Sequence, residues 1–420
     1  MFTTFESAKD WIENSIRFGD KLDLKRMIIA SSKLHHPERQ FKTIHIAGTN
    51  GKGSTTNFVK NILKQAGFQV GIYTSPYVVK FNERIGINDT YISDEDIIAY
   101  TNKIKIIWDE VYEEYQDSIT FFEILTLMAF CYFADQHVDY AVIEVGLGGL
   151  LDATNIILPE VCAITNISWD HMKQLGNSLE SIAWNKLGIV KPTIPLITTE
   201  ANPALIPLFE QVCAQNNSEI TWVSIDDATD IELQEETTFR YHGQQYRLHL
   251  TGFHQVKNAC LAIEIVNCLQ KKEKFTLNER MMYQGLYETS WPGRFEIFHH
   301  NIVLDGAHNI GGAESLKTTL QSLYKGKIIK GLFCMMKDKE HEKVIALFDD
   351  LFDEFHFTQI DYKRSATAEE LCLESKHPRK FAHPDYKEAF ELLRQLKDNE
   401  VLIITGSLYF ISEIRQLLVS

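Results

Sequence analysis

The run Ile44-His45-Ile46-Ala47-Gly48-Thr49-Asn50-Gly51-Lys52-Gly53-Ser54-Thr55-Thr56 constrains this chain more than any other. Residues 43–47 are apolar and β-branched, and Phe58, Ile62, Leu63 and Ala66 then recur at helical spacing. A strand, a glycine-rich turn and a helix in that order place the turn at a strand's carboxyl end, with helix amides facing out of it. Those amides and the positive end of the helix dipole attract an anion, glycines let the backbone approach it, and Lys52 adds a point charge. The expectation is a phosphate cradle for a nucleoside triphosphate, built from Gly48, Thr49, Asn50, Gly51, Lys52, Gly53, Ser54 and Thr55. The spacing departs from G-x-x-x-x-G-K-[ST]: Ile46 stands where the first glycine would be, and Gly53 separates Lys52 from the hydroxyls.

A chain of 420 residues is too long for one comfortable core, so two domains are expected. The net charge is −15 and no basic run tracks a nucleic-acid backbone, which argues against DNA or RNA as partners. Anionic substrates must be met by local Lys and Arg. No stretch approaches the roughly 18 apolar residues of a membrane span, and the start, amphipathic around Trp11, Ile12 and Ile16, lacks a secretory signal's apolar core and cleavage site. Cys131, Cys162, Cys213, Cys260, Cys268, Cys334 and Cys372 are scattered, without a C-x-x-C pair, and read as reduced residues of a cytoplasmic protein.

Apolar β-branched runs alternate with helical patterns, predicting a mainly parallel sheet covered by helices on both faces. After the loop strand, strands are expected at 69–74, 140–145, 161–167 and 195–198. Ligands bind outside the carboxyl ends of such strands, so Ser75, Glu144, Asp170 and His171 are expected to face the nucleotide. Over 220–250 the pattern alternates, with Phe239, Tyr241, Tyr246 and Leu248 around His242-Gly243, which predicts an antiparallel hairpin at the edge of the first domain. A second α/β pattern follows, with strands at 302–304, 328–334, 355–358 and 401–405 and helices at 313–323 and 387–396. Trp291-Pro292-Gly293-Arg294 reads as the junction.

The motifs together resemble the folylpolyglutamate synthase family, whose members are sometimes bifunctional with dihydrofolate synthase, within the Mur ligase superfamily of ATP-dependent amide-forming enzymes. The resemblance runs nearly end to end. It is carried by Phe18-Gly19 with Arg26-Met27, His45 to Thr55, Tyr73-Thr74-Ser75-Pro76 with Phe81-Asn82-Glu83-Arg84-Ile85, Phe122-Glu123, and Glu144-Val145-Gly146-Leu147-Gly148-Gly149 with Leu151-Asp152-Ala153-Thr154-Asn155. Asp170-His171, Lys186 with Gly188-Ile189, and His254-Gln255 with Asn258-Ala259 continue it. Trp291-Pro292-Gly293-Arg294-Phe295-Glu296, Asp305-Gly306-Ala307-His308-Asn309 and Gly406-Ser407-Leu408-Tyr409 complete it. It implies a P-loop, Mur-ligase-like α/β ATPase domain over 1–293, mainly parallel with a small antiparallel edge, then a Rossmann-like α/β domain over 294–420.

The implied reaction transfers the γ-phosphoryl of ATP to a folate carboxylate, and the amino group of L-glutamate attacks the acyl phosphate. Positioning and charge neutralisation do most of that work. The resemblance gives Lys52 the β- and γ-phosphates, and Ser75, Glu144 and His171 contacts to Mg²⁺, a metal that wants hard oxygen donors. Lys186 would be carbamylated, becoming an anionic oxygen donor, although Asn185 and Leu187 replace the family's flanking glutamate and alanine. Arg294 would spread phosphoryl charge, Asp305 and Asn258 would contact the nucleotide, and His308 would donate to phosphate. Tyr77 and Phe81 either stack a flat ring or pack, and Arg84 either meets a carboxylate or packs. The implied partners are small molecules only: reduced folate, L-glutamate and, in a bifunctional enzyme, dihydropteroate. A monomer is expected.

Leu150 stands where the family commonly has arginine, Ile310 replaces a proline and Glu340 an aspartate. The loss at 150 bears on acceptor choice more than on ATP use. A GTPase reading of Asn185-Lys186-Leu187 fails because Gly188 stands where N-K-x-D needs aspartate. A cell-wall ligase would usually carry threonine directly after the lysine, and a non-catalytic ATP- and folate-binding relative would not need every phosphate and metal candidate present here.

Overall fold

The computed structural model describes residues 1–16 and 23–419; the Phe18-Gly19 motif lies outside them. The chain forms two compact units. The first comprises Met1–Ile167, His171–Asp227 and Lys257–Leu286, the second Ser168–Asp170, Ala228–Val256 and Tyr287–Ser420.

The first unit is built on an eight-stranded sheet of β1 (Lys42–Ala47), β2 (Val70–Tyr73), β3 (Ile85–Ile87), β4 (Thr90–Tyr91), β5 (Tyr140–Glu144), β6 (Val161–Ile164), β7 (Leu196–Thr198) and β8 (Ile220–Trp222). Its order is β4-β3-β2-β5-β1-β6-β7-β8, parallel from β2 to β8 and antiparallel only at β3 and β4. The central strands read as continuous apolar runs because both faces are buried. Ala141 and Ile143 join a core with the helices Asp94–Tyr115 and Phe121–Asp135, while Cys162 and Ile164 join another with Leu179–Leu187 and Ile206–Gln215. This order puts β1 in the middle, with the carboxyl ends of β5 and β6 on either side of its loop.

The second unit holds a six-stranded sheet and a three-stranded meander, the latter of β9 (Ala228–Leu233), β10 (Thr237–Tyr241) and β11 (Gln244–Leu248). His242 and Gly243, with φ of 48° and 80°, make the two-residue turn that joins β10 to β11. The larger sheet has β12 (Glu296–Phe298), β13 (Ile302–Asp305), β14 (Ile328–Phe333), β15 (Glu354–Thr358), β16 (Lys380–His383) and β17 (Glu400–Thr405), ordered β12-β13-β17-β14-β15-β16. Along β17, Val401 and Ile403 enter one core and Leu402 and Ile404 the other, so both faces are covered.

Three expectations change. The hairpin around His242-Gly243 forms, but in a separate sheet of the second unit, so the antiparallel edge of the large sheet is β3–β4. Residues 220–222 are a parallel strand of the large sheet. The units divide at 286/287 rather than 293/294, and again on either side of the meander, at 227/228 and 256/257, because the meander's partners belong to the second unit: Gly252 lies against Thr319, and Tyr287 donates to Glu236 at 3.5 Å. All seven cysteines are free thiols, and no helix among the described residues is long and apolar enough to cross a membrane.

Candidate active site

In the first unit, β1 ends at Ala47 and the chain turns through Gly48 (φ 145°) and Gly51 (φ 87°) into the helix Lys52–Gln65. A Cβ on Gly48 would collide with the Thr165 hydroxyl and lie 3.0 Å from Thr165 Cβ, and one on Gly51 would collide with Asn258 Oδ1. Both glycines are therefore needed for space as well as for φ. The loop is laced to the residues after β6: Thr49 N donates to Asn166 O (2.9 Å), Asn50 N to Asn166 Oδ1 (3.0 Å), and Thr165 Oγ1 to Asn50 O (2.5 Å). The helix ladder begins with Thr55 N donating to Gly51 O at 2.9 Å, leaving the amides of Lys52, Gly53 and Ser54 at the open end.

Two cations meet at this loop. Lys52 Nζ donates to Gly48 O at 3.0 Å and to Thr49 O at 3.3 Å. Lys186, on the helix Leu179–Leu187, is buried and donates from Nζ to the same Gly48 oxygen at 2.8 Å. The ammonium nitrogens thus lie within about 6 Å of each other, a repulsive arrangement that an anion between them relieves. Lys186 is not a surface lysine.

Glu144, buried at the end of β5, accepts from Ser75 N at 3.2 Å and lies beside Ile46 of β1 in register. The hydroxyl of Thr55, in the first turn of the loop helix, is buried with no hydrogen-bond partner. Among the described residues no three His, Cys, Asp or Glu side chains form a metal cage. Magnesium ordinarily takes one or two carboxylates and completes its shell with phosphate and water. A carboxylate, serine and threonine beside a phosphate loop fit it. His171 heads the short helix Met172–Leu175, exposed, with a left-handed φ of 50°.

Of the folate candidates, Phe81 and Arg84 are buried and Tyr77 is half-buried. The Arg84 guanidinium lies 5.0 Å from the Tyr77 ring, 5.5 Å from Phe121 and 6.0 Å from Phe81. Phe81 also packs against Phe5 at 6.2 Å, and Arg84 is held inside an aromatic cage. Glu83 fixes this segment by accepting from the amides of Val78 (2.8 Å), Val79 (3.0 Å) and Lys80 (3.0 Å).

In the second unit, Arg294 is half-buried, lines a cavity of about 430 Å³ with Trp291, Phe295 and Arg415, and has no ion pair among the described residues. Asp305, at the end of β13, spends both oxygens on backbone, accepting from Phe295 N just before β12 and from Ala307 N in its own turn at 2.9 Å each. Burial pushes its carboxyl up, against Arg294 and those two amides. His308 is lowered to about 4 by burial and Lys339, with Asp170 opposing. Its Nδ1 lies 2.8 Å from Gly306 O, so Nδ1 carries the proton of the neutral ring and Nε2 is an acceptor. The expected donation from His308 to phosphate is therefore open only to the protonated ring. The residues after β13 and β14 meet at Asp170, which pairs with Lys339 at 2.7 Å and accepts from Asn309 at 3.4 Å. Lys339 and the Thr165-Asn166 pair were not singled out from sequence; polar residues just beyond strand carboxyl ends are the signal that finds them.

Residues 46–266 match the Mur ligase middle domain and 293–408 the Mur ligase glutamate ligase domain. With the phosphate loop, those matches define the class: an ATP-dependent ligase that forms amide bonds. The chain is 36% identical to the dihydrofolate synthase/folylpolyglutamate synthase of Bacillus subtilis (strain 168), covering 99% of each. It is 32% identical to Thermotoga maritima folylpolyglutamate synthase, whose crystal structure it matches with a TM-score of 0.85 over 99% of this chain and 97% of that one. An FPGS–AMPPCP–folate complex matches with a TM-score of 0.86 at 28% identity, each chain covered in full. The chain belongs to the folylpolyglutamate synthase/dihydrofolate synthase family.

Proposed function

We propose that this protein adds L-glutamate to the γ-carboxyl of tetrahydrofolate, with ATP cleaved to ADP and phosphate through an acyl phosphate. The observation that carries the reading is the convergence of Lys52 and Lys186 on the Gly48 carbonyl, in a chain that aligns end to end with relatives of that name. The folate carboxylate attacks the γ-phosphorus and ADP leaves; the glutamate nitrogen then attacks the acyl carbon and phosphate leaves.

Lys52, released from the loop carbonyls as the nucleotide enters, and the open amides at the head of its helix hold the phosphates. Ser75, Glu144, His171 and a carbamylated Lys186 would hold Mg²⁺, with Thr55 as a further oxygen. A metal held there would supply positive charge to offset that of the phosphates. Arg294, half-buried and in no ion pair among the described residues, is the cation for the developing phosphoryl charge. Asn258, whose amide oxygen faces Gly51, contacts the nucleotide beside the loop, whereas Asp305 acts by holding the turn that bears His308. Tyr77, the more exposed of the folate candidates, is left to stack the ring. We take the protein to act as a cytoplasmic monomer.

The Bacillus subtilis relative favours a second reading, in which dihydropteroate is also an acceptor. Leu150, 38% exposed where the family commonly has arginine, is the residue on which the two readings differ. The test is glutamate- and ATP-dependent phosphate release with tetrahydrofolate and dihydropteroate as separate acceptors, products identified by mass. Release with tetrahydrofolate alone supports the first reading, release with both supports the second, and release with neither overturns both.

A further inference from the structure

His45 occupies the central strand of the first unit, fully buried, where valine or isoleucine would fill the same space without polar atoms. Its Nε2 lies 2.8 Å from Thr154 Oγ1. That hydroxyl donates to Asp152 Oδ1 at 2.5 Å, and Thr154 N donates to the same oxygen at 3.1 Å. The other Asp152 oxygen accepts from Leu147 N at 2.7 Å. A threonine hydroxyl has one proton, and the short bond to the carboxylate uses it, so Nε2 must be the donor to Thr154. The neutral ring then leaves Nδ1 bare, and Nδ1 is buried with no hydrogen-bond partner. Burial, with Lys191 adding to it, holds this imidazole down to about 3, so it stays neutral at working pH. A core position that tolerates a stranded ring nitrogen keeps the imidazole for its other bond.

The bonded chain ends at the site. Leu147 is three residues beyond Glu144, and Leu150 N donates to Asn185 O (2.7 Å), next to Lys186. Asn155 Nδ2 ties the same loop to that helix, donating to Leu150 O (2.9 Å) and Gly188 O (3.0 Å). We propose that His45 is a positioning residue for the ligase reaction, acting through Thr154 and Asp152 to fix the loop after Glu144 and its junction with the Lys186 helix. This rests on Glu144 and Lys186 serving the metal–nucleotide site. Buried polar chains of this kind orient the groups that touch the metal, and breaking one typically reduces metal affinity or activity by roughly 10- to 100-fold.

The test compares His45→Leu with His45→Gln, which keeps an N–H near the place of Nε2, and Thr154→Val with Thr154→Ser. Each is measured for Mg²⁺-dependent AMPPCP binding by calorimetry, for kcat and KM, and for fold by thermal melt. The Leu and Val variants are expected to remain folded while Mg²⁺-dependent binding and kcat fall roughly 10- to 100-fold, and the Gln and Ser variants to stay within about threefold of wild type. Wild-type behaviour of folded His45→Leu and Thr154→Val, or a Gln variant as impaired as Leu, overturns the proposal. If His45→Leu does not fold, the Thr154 pair decides. The ¹⁵N spectrum of the wild-type imidazole is a separate check, since an Nδ1–H tautomer contradicts the proton order and overturns the proposal. A wild-type protein that releases no phosphate would sink the ligase reading, whereas analogue binding and the tautomer still test the role of His45.

Discussion

Replacing Gly48 by alanine tests whether the phosphate loop is held by its fit to the end of β6. At φ 145° an L side chain is strained, which costs about 1–3 kcal/mol. The new Cβ would collide with Thr165 Oγ1 and stand 3.0 Å from Thr165 Cβ and 3.1 Å from Thr165 N, so Thr165 must move. Its 2.5 Å bond to the Asn50 carbonyl is then lost, removing about another 1 kcal/mol. Gly48→Ala should therefore lower stability by about 2–4 kcal/mol, read from urea unfolding. The Gly48 carbonyl is also the meeting point of Lys52 and Lys186, so a shift of about 1 Å should reduce kcat roughly 100-fold. Thr165→Ala removes the colliding hydroxyl and should make the second substitution less harmful than it is alone. Wild-type stability and turnover for Gly48→Ala, or strict additivity of the two changes, would refute the reasoning.

Lys52→Ala should abolish phosphate release while leaving the melting curve intact, because among the described residues the lysine bonds only to its own loop; normal turnover would remove the central claim. Lys186→Arg keeps the charge but cannot form a carbamate, so it should lose at least about 100-fold in kcat, and native mass spectrometry of wild type should show a labile CO₂ adduct. Acid should destabilise the protein well before carboxylates titrate. Burial, as the leading cause, holds His45 at about 3 and His254, His308 and His356 at about 4. Unfolded imidazoles take protons as pH falls through about 6.5, so between there and about 4 the unfolded chain binds more protons and stability drops with falling pH. Asp152 and Asp305, raised by burial, oppose this but are fewer. Urea unfolding at pH 5 should show at least about 1 kcal/mol less stability than at pH 7.5, and equal values would contradict the assignment.

The parallel strands were legible because a strand buried on both faces is apolar along its middle, as β5 is at Ala141–Ile143 and β17 at Val401–Ile404. The edge strand β16 was not, since Lys380–His383 is half exposed and carries no apolar run. The meander was legible as strands but not as a member of the second unit, because alternation reports one covered face and not what covers it. At the site, the loop could be read locally, whereas Lys186 reaches Gly48 across 138 residues that only the fold brings together. Whether Phe81 stacks or packs depends on neighbours such as Phe5, far away in the chain. The proton on His308 was beyond sequence for the same reason, being set by the carbonyl of Gly306.

The position of β17 has a consequence for synthesis. It pairs with β13 on one side and β14 on the other, in the middle of the six-stranded sheet, yet it is the last of the six to be translated. Until Thr405 has left the ribosome, β12–β13 and β14–β16 are two pieces with no strand between them, each showing an unpaired edge. The second unit's sheet therefore closes late and all at once, and the interval before β17 emerges is when these edges most need a chaperone.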